Sequence, residues 1–229
     1  MDSLKQFSLF EGVDEQLIER FDKQCTWRNY APGELIIDHH DSTNDVRFIA
    51  SGEVRVVVRM GDGREVIFND HQAGTYFGEV ASIDGKPRSA NVTALTKTRL
   101  CILPAPALKM LVYEAPQVGW QIMEKLVELV RNLSTRLAEF TFLQAKHRIC
   151  AELLRTSRPR QGFDDQRIVS PPPIQKDIAD RVSSRREVVS REMKVLERDG
   201  ILEKSRGGLI IVNVEELRRR ASEGWTQNE

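Results

Sequence analysis

The chain has 229 residues, 40% hydrophobic and 30% charged, which suits two modest domains with separate cores and is ordinary for a soluble protein. No apolar run approaches the roughly 20 residues of a bilayer span, and the opening MDSLKQFSLF lacks the basic and apolar regions of a signal peptide, so no membrane contact and a cytoplasmic location are expected. The three cysteines, Cys25, Cys101 and Cys150, are far apart and odd in number, which argues against a disulfide framework and for a reducing compartment.

The net charge of zero conceals an asymmetry. Residues 1–145 hold 16 Lys/Arg against 20 Asp/Glu, whereas residues 146–220 hold 18 against 12. A basic C-terminal segment suits a polyanionic partner, although a solvated Arg-rich helix carries the same charge.

Residues 1–25 read as short amphipathic helices carrying Leu4, Phe7, Leu9, Phe10, Leu17, Ile18 and Phe21. From Trp27 to Leu103 the chain turns to short Val/Ile/Phe runs. They are punctuated by Pro32-Gly33, Ser51-Gly52, Gly61-Asp62-Gly63, Ala73-Gly74 and Asp84-Gly85, the spacing of a compact β-sandwich or barrel. Val54, Val56 and Val58 alternate with Arg55, Val57 and Arg59, and a turn over Met60–Arg64 predicts a hairpin into Glu65–Phe68.

Pro116 to Leu143 has no internal Pro or Gly after Gly119, and Ile122, Leu126, Leu129, Leu133, Leu137 and Phe140 recur every three or four residues. That stripe predicts a helix about 40 Å long, suited to packing on a second copy of the chain. Residues 146–157 continue as helix with Ile149, Cys150, Leu153 and Leu154 on one side. Arg158–Pro173 reads as a proline-rich linker with a minor strand at Ile168-Val169. Helices are expected over Gln175–Val182 and Arg185–Asp199, then a hairpin over 201–212 turning at Arg206-Gly207-Gly208. Fraying is expected from Ser222 onward.

One stretch carries chemistry: Tyr76-Phe77-Gly78-Glu79-Val80-Ala81-Ser82-Ile83-Asp84-Gly85-Lys86-Pro87-Arg88-Ser89-Ala90. A glycine before a short helical turn exposes backbone N–H groups to an anion. Arg88 offers a planar fork for phosphate oxygens, Ser89 a hydroxyl donor, and Glu79 a carboxylate for sugar hydroxyls. The competing reading is an internal Glu79–Arg88 ion pair at a sheet edge. The stretch resembles the phosphate-binding cassette of cyclic-nucleotide-binding domains: Phe-Gly-Glu-hydrophobic-Ala, a short loop, then Arg-Ser/Thr-Ala. The resemblance implies a β-roll in which Gly78 and Glu79 lie on the ribose side, Arg88 and Ser89 hold the cyclic phosphate, and Val80 also belongs to the ligand site. It implies purine contacts from the long helix of both subunits, with Asn132, Ser134 and Thr135 as candidates. The Thr-Ser pair of the best-known members falls here on Leu133-Ser134, so one hydroxyl is retained and cyclic AMP and cyclic GMP both stay open as the ligand.

A second stretch, Ile174 to Glu197, has the layout of a helix-turn-helix. Ile178, Ala179 and Val182 form one inner face, Val189, Met193 and Leu196 the other, and Ser183-Ser184 supplies the turn and an N-cap candidate. Ser184, Arg185, Arg186, Glu187, Ser190 and Arg191 remain for DNA. Arg matches guanine O6/N7 and Glu accepts from cytosine N4. The Arg186-Glu187-x-x-x-Arg191 pattern resembles the recognition helix of the catabolite activator branch of the Crp/Fnr superfamily. It implies Arg186 and Arg191 on guanines and Glu187 on cytosine of a TGTGA-like half-site, with Ser184 and Arg185 on phosphates.

The resemblance covers roughly residues 5–217 and implies an α+β chain: a cyclic-nucleotide-binding β-roll over 1–115, a long dimerisation helix and hinge over 116–145, and a winged helix-turn-helix over 146–229. It implies a homodimer on double-stranded DNA, with RNA polymerase as a further partner. No phosphate-binding Gly-x-x-x-x-Gly-Lys loop or zinc spacing is present, and no catalytic set suggests itself, so neither an enzyme nor a metal site is expected. His39-His40 read as solvated. Two alternatives stand: a haem or redox sensor with a vestigial nucleotide pocket, and a nucleotide-binding regulatory subunit of an enzyme.

Overall fold

The structure, a computed structural model, describes residues 2–59, 61 and 65–226; of the turn expected over Met60–Arg64, all but Gly61 lies outside them. The chain divides into two compact units, Met1–Leu129 and Val130–Glu229.

The first unit begins with two 3-10 turns, Leu4–Gln6 and Ser8–Phe10, and helix α1, Glu15–Asp22. The Asp14 carboxylate accepts from the Leu17 amide at 3.1 Å and so caps α1. Eight strands follow: β1 Thr26–Tyr30, β2 Leu35–Ile37, β3 Val46–Ser51, β4 Glu53–Arg59, β5 Glu65–Gln72, β6 Tyr76–Phe77, then, after helix α2 Glu79–Asp84, β7 Asn91–Ala94 and β8 Thr98–Leu103. They form two antiparallel four-stranded sheets, β1-β8-β3-β6 and β2-β7-β4-β5. Ile37, Ile49, Val54, Val92 and Leu100 fill one core. A second core lies under the N-terminal turns, where Phe48 meets Phe7 and Phe10 at ring separations of 5.2 Å.

The expected Val54/Val56/Val58 alternation is interrupted. Val54 and Val57 are buried while Val56 and Val58 are half-buried, and the β4–β5 register shifts between Val56 and Val57, where Phe68 of β5 is the extra residue. One extra residue in a strand inverts every side chain beyond it.

Helix α3, Ala105–Glu114, leads into α4, Pro116–Phe142. Pro116 suits the first helical position, where an N–H has no partner. Val118 and Ile122 are buried in the first unit and Leu126 packs partly against them. Leu133 and Leu137, 45% and 68% exposed, leave the distal stripe unburied within one chain.

The second unit adds α5 Ala145–Thr156, β9 Arg158–Pro159, β10 Arg167–Val169, α6 Gln175–Arg181, α7 Arg186–Arg198, β11 Leu202–Lys204, β12 Leu209–Ile211 and α8 Val214–Thr226. The stretch expected as a linker supplies two strands. Arg167–Val169 pairs with both Leu209–Ile211 and Arg158–Pro159, giving the order β11-β12-β10-β9. Gly208 permits this pairing, because a Cβ there would stand 2.4 Å from the Val169 carbonyl oxygen. The tail expected to fray from Ser222 instead continues α8 to Thr226, with the Trp225 ring 6.3 Å from that of Phe142. The core joins Ile149, Leu153, Ile178, Val189, Leu196 and Leu217.

Candidate ligand cradle and nucleic-acid interface

The first site forms where β6 ends. Gly78 has φ +85°, and a Cβ there would lie 2.7 Å from Arg88 Nη1. Only glycine tolerates both the left-handed backbone and the approach of that guanidinium. Gly78 is also the N-cap of α2, whose first amides have no partner within the helix. Glu79, 9% exposed, starts this helix, and Val80 follows on its outer side.

Arg88 is 3% exposed. Its Nε donates to Thr43 Oγ1 at 3.1 Å, Nη1 to the Gly78 carbonyl at 3.0 Å and Nη2 to the Asp45 carbonyl at 2.8 Å. Three of its five N–H groups are thus held by protein oxygens, which fixes the fork with two donors left. Burial pulls Arg88 below its usual pKa, opposed by Asp45, Asp41 and Glu79. The carboxylate within ion-pair range of Arg88 is Asp45, at 3.3 Å, rather than Glu79. Asp45 also takes Arg47 Nε at 2.5 Å, so one carboxylate is shared by two buried guanidiniums. Ser89 is exposed next to Arg88. The backbone of the 40–41 loop is zipped to Arg88: His40 N–H donates to the Arg88 carbonyl at 3.1 Å, and Arg88 N–H to the Asp41 carbonyl at 2.9 Å.

Gly78, Glu79, Val80, Arg88 and Ser89 therefore come together around one turn. Asn132, Ser134 and Thr135 belong to the second unit and stand exposed on α4, the Thr135 hydroxyl donating to the Arg131 carbonyl at 3.0 Å. Thr43, Asp45 and Arg47 were not anticipated. An arginine inside the apolar run Val46–Ile49 was the available signal, because a charge in a buried strand demands a partner.

The second site is a helix pair. Ile178, Ala179, Val182, Val189, Met193 and Leu196 are all at most 5% exposed, as their spacing predicts. Ser183 makes the turn with φ +48°. Arg148 of α5 donates to the Val182 and Ser183 carbonyls at 3.0 and 3.3 Å, which pins that turn. The N-cap of α7 is Arg185, not Ser184, and no side chain caps it; Ser184 N–H donates to the Ala179 carbonyl at 2.9 Å. Arg185, Arg186, Glu187 and Arg191 are exposed and Ser190 is half-buried. Arg186, Glu187, Ser190 and Arg191 share an open groove of about 610 Å³ with Gln175, Lys194 and Arg198. Those last three were missed. Lys194 and Arg198 continue the Glu187–Arg191 row at helical spacing, which the sequence did carry.

Among the described residues no group of three or more ligands is placed to hold a metal ion, and no helix is long and apolar enough to cross a membrane. The His39 and His40 ring centroids lie 3.7 Å apart with the planes tilted by 42°. Cys101 and Cys150 are buried and Cys25 half-buried; burial pushes the Cys150 thiol up to about 12.

Two family models match: a cyclic nucleotide-binding domain over residues 27–114 and a Crp-like helix-turn-helix domain over residues 147–220. A CRP-like cAMP-activated global transcriptional regulator of Mycobacterium tuberculosis is 25% identical over 222 residues, 95% of this chain and 98% of that one. A CooA mutant from Carboxydothermus hydrogenoformans superposes with a TM-score of 0.77 at 19% identity, covering 93% of this chain and 92% of that one. The c-di-GMP responsive global regulator CLP of Xanthomonas campestris superposes with a TM-score of 0.72 at 22% identity, covering 87% and 99%.

Proposed function

The chain belongs to the Crp/Fnr family of transcription regulators, and from that premise we propose that it is a cytoplasmic, non-enzymatic homodimer that binds cyclic AMP or cyclic GMP and reads a TGTGA-like palindrome. The observation that carries the ligand half is the cradle itself. A buried guanidinium is fixed by three protein oxygens beside a glycine that leaves it room. Such a fork recognises a phosphodiester at little ordering cost. Glu79 supplies acceptors for the ribose hydroxyl, with Gly78 and Val80 beside it, and Ser89 adds a donor next to Arg88. The relative from Mycobacterium tuberculosis is named for activation by cAMP, which favours a cyclic purine nucleotide.

Purine contacts fall to Asn132, Ser134 and Thr135. In a dimer the distal stripe of α4, with Leu133 and Leu137, would gain a partner, as heptad-like seams do. The two recognition helices would then lie about 34–36 Å apart, one turn of DNA. Arg186, Glu187 and Arg191 read base edges, Ser184, Arg185 and Ser190 accompany them on the backbone side, and RNA polymerase is the downstream partner. The nucleotide acts by favouring the arrangement that binds DNA.

Calorimetry with cyclic AMP against cyclic GMP, joined to a salt-dependent gel shift on a TGTGA palindrome, tests both halves. Indifference to both nucleotides, or a visible absorption band from the purified protein, would replace this reading with a haem or redox sensor. A further expectation concerns Arg186. Arg186→Ala is expected to weaken operator binding by about 1–3 kcal/mol, concentrated at one guanine. Equal loss on every sequence in the same titration would assign Arg186 to phosphate contact only.

A further inference from the structure

The stretch Tyr76-Phe77-Gly78 is gripped at both ends by cations from different parts of the first unit. At one end Arg88 Nη1 donates to the Gly78 carbonyl at 3.0 Å. At the other, Lys125 Nζ of α4 donates to the Tyr76 carbonyl at 2.9 Å and lies 3.4 Å from the Tyr76 ring centroid. The Tyr76 ring is 7% exposed and packs 5.6 Å from Phe48, so the strand end has little freedom of its own. Lys125 has none either, because Ile122 and Leu126 on either side of it pack into the same core.

We propose that Lys125 is the positioning residue through which α4 registers occupancy of the nucleotide cradle. The proposal rests on the cyclic-nucleotide reading given above. An arriving phosphate draws on the two donors Arg88 has left, and the same guanidinium holds the Gly78 carbonyl, so occupancy is felt at the end of this strand. The Tyr76 carbonyl lies two residues before Gly78, at the start of the same short strand, and it accepts from Lys125 of α4. A contact that differs between the empty and filled states is what a ligand needs to bias a helix. Charge supports the geometry. Lys125 faces Glu79 of α2, Glu128 of its own helix and His71 of β5, and Glu79 in turn faces Tyr76 and Arg88. His71 is held down to about 4, by burial first and the Lys125 ammonium second, with Asp70 opposing.

The test uses the full chain and the ratio of palindrome affinities with and without saturating cyclic nucleotide, both cyclic AMP and cyclic GMP being tried. Lys125→Met is expected to cut that ratio about tenfold, within the usual range of allosteric coupling, and Lys125→Arg, which keeps charge and donor, is expected to restore it. Lys125→Gln, whose shorter neutral side chain stops short of the Tyr76 carbonyl, is expected to lose the ratio likewise and serves if methionine compromises folding. Nuclear magnetic resonance titration of His71 should show its pKa rising in the Met or Gln variant, because a nearby cation has been removed. A full ratio in Lys125→Met or Lys125→Gln, a loss that arginine does not restore, or a His71 titration that does not move would overturn the proposal. A wild-type chain without any nucleotide-dependent gain would instead overturn the reading on which it rests.

Discussion

Replacing Arg88 by alanine is expected to lower cyclic-nucleotide affinity by about 2–5 kcal/mol, roughly thirtyfold to several thousandfold. Removing one member of a desolvated, hydrogen-bonded charge pair costs that much because the phosphate would enter the cradle without its counter-charge. The size of the effect follows from the packing. Arg88 is 3% exposed, and its truncation removes the donor that Thr43, Gly78 and Asp45 share as well as the charge facing the phosphate. Asp45 aggravates the loss. With Arg88 gone, Arg47 is its remaining ion-pair partner among the described residues, and a carboxylate faces the anionic ligand. Arg88→Lys is expected to fall between wild type and alanine, since an ammonium keeps the charge but not the planar fork. Calorimetry decides: unchanged affinity in the alanine variant would remove the phosphate from this turn.

The largest effect on stability is expected at Glu152. This residue of α5 is 1% exposed and stands among three arginines. Arg136 Nη2 of α4 lies 3.2 Å from its Oε2, Arg155 Nη1 bonds the same oxygen, and Arg181 Nη1 at the end of α6 is 3.8 Å from Oε1. Arg155 also reaches Glu139 of α4 at 2.6 Å. Burial pulls Arg136 below its usual pKa, and Glu152 is the strongest opposing influence. Glu152→Ala leaves the half-buried Arg136 and Arg181, and Arg155 beside them, without the buried carboxylate they share. It is expected to destabilise the second unit by about 3–5 kcal/mol, as breaking buried pairs does. Urea unfolding followed through Trp225 reports that unit, and a two-unit chain requires such a local probe rather than a global midpoint. A loss below about 1 kcal/mol would place the cluster with surface ion pairs. Because Arg181 ends the first helix of the helix-turn-helix and Arg148 pins its turn, weaker DNA binding should accompany the destabilisation, uniformly across sequences.

Both functional motifs were legible because each is local. The cassette runs from Tyr76 to Ala90 and the helix pair from Ile174 to Glu197, and each announces itself by turn residues and period. The burial of Ile178, Ala179, Val182, Val189, Met193 and Leu196 follows from helical spacing alone. Local chemistry misled where the backbone had a choice: Ser184 looked like a cap, yet the turn at Ser183 moves the helix start to Arg186. The apparent linker concealed strands because its pairing partner, Leu209–Ile211, lies some forty residues further on.

The sequence by itself determined the order of the two units, the cassette and the reading helix, since periodicity and turn chemistry act between near neighbours. Tertiary structure decided which distant charges meet. Arg88 finds Thr43 and Asp45 across more than forty residues, Lys125 finds Tyr76 across forty-nine, and Glu152 joins Arg136 to Arg181. Sheet register and helix packing create those encounters, and a desolvated charge is stable only where such packing delivers its partner.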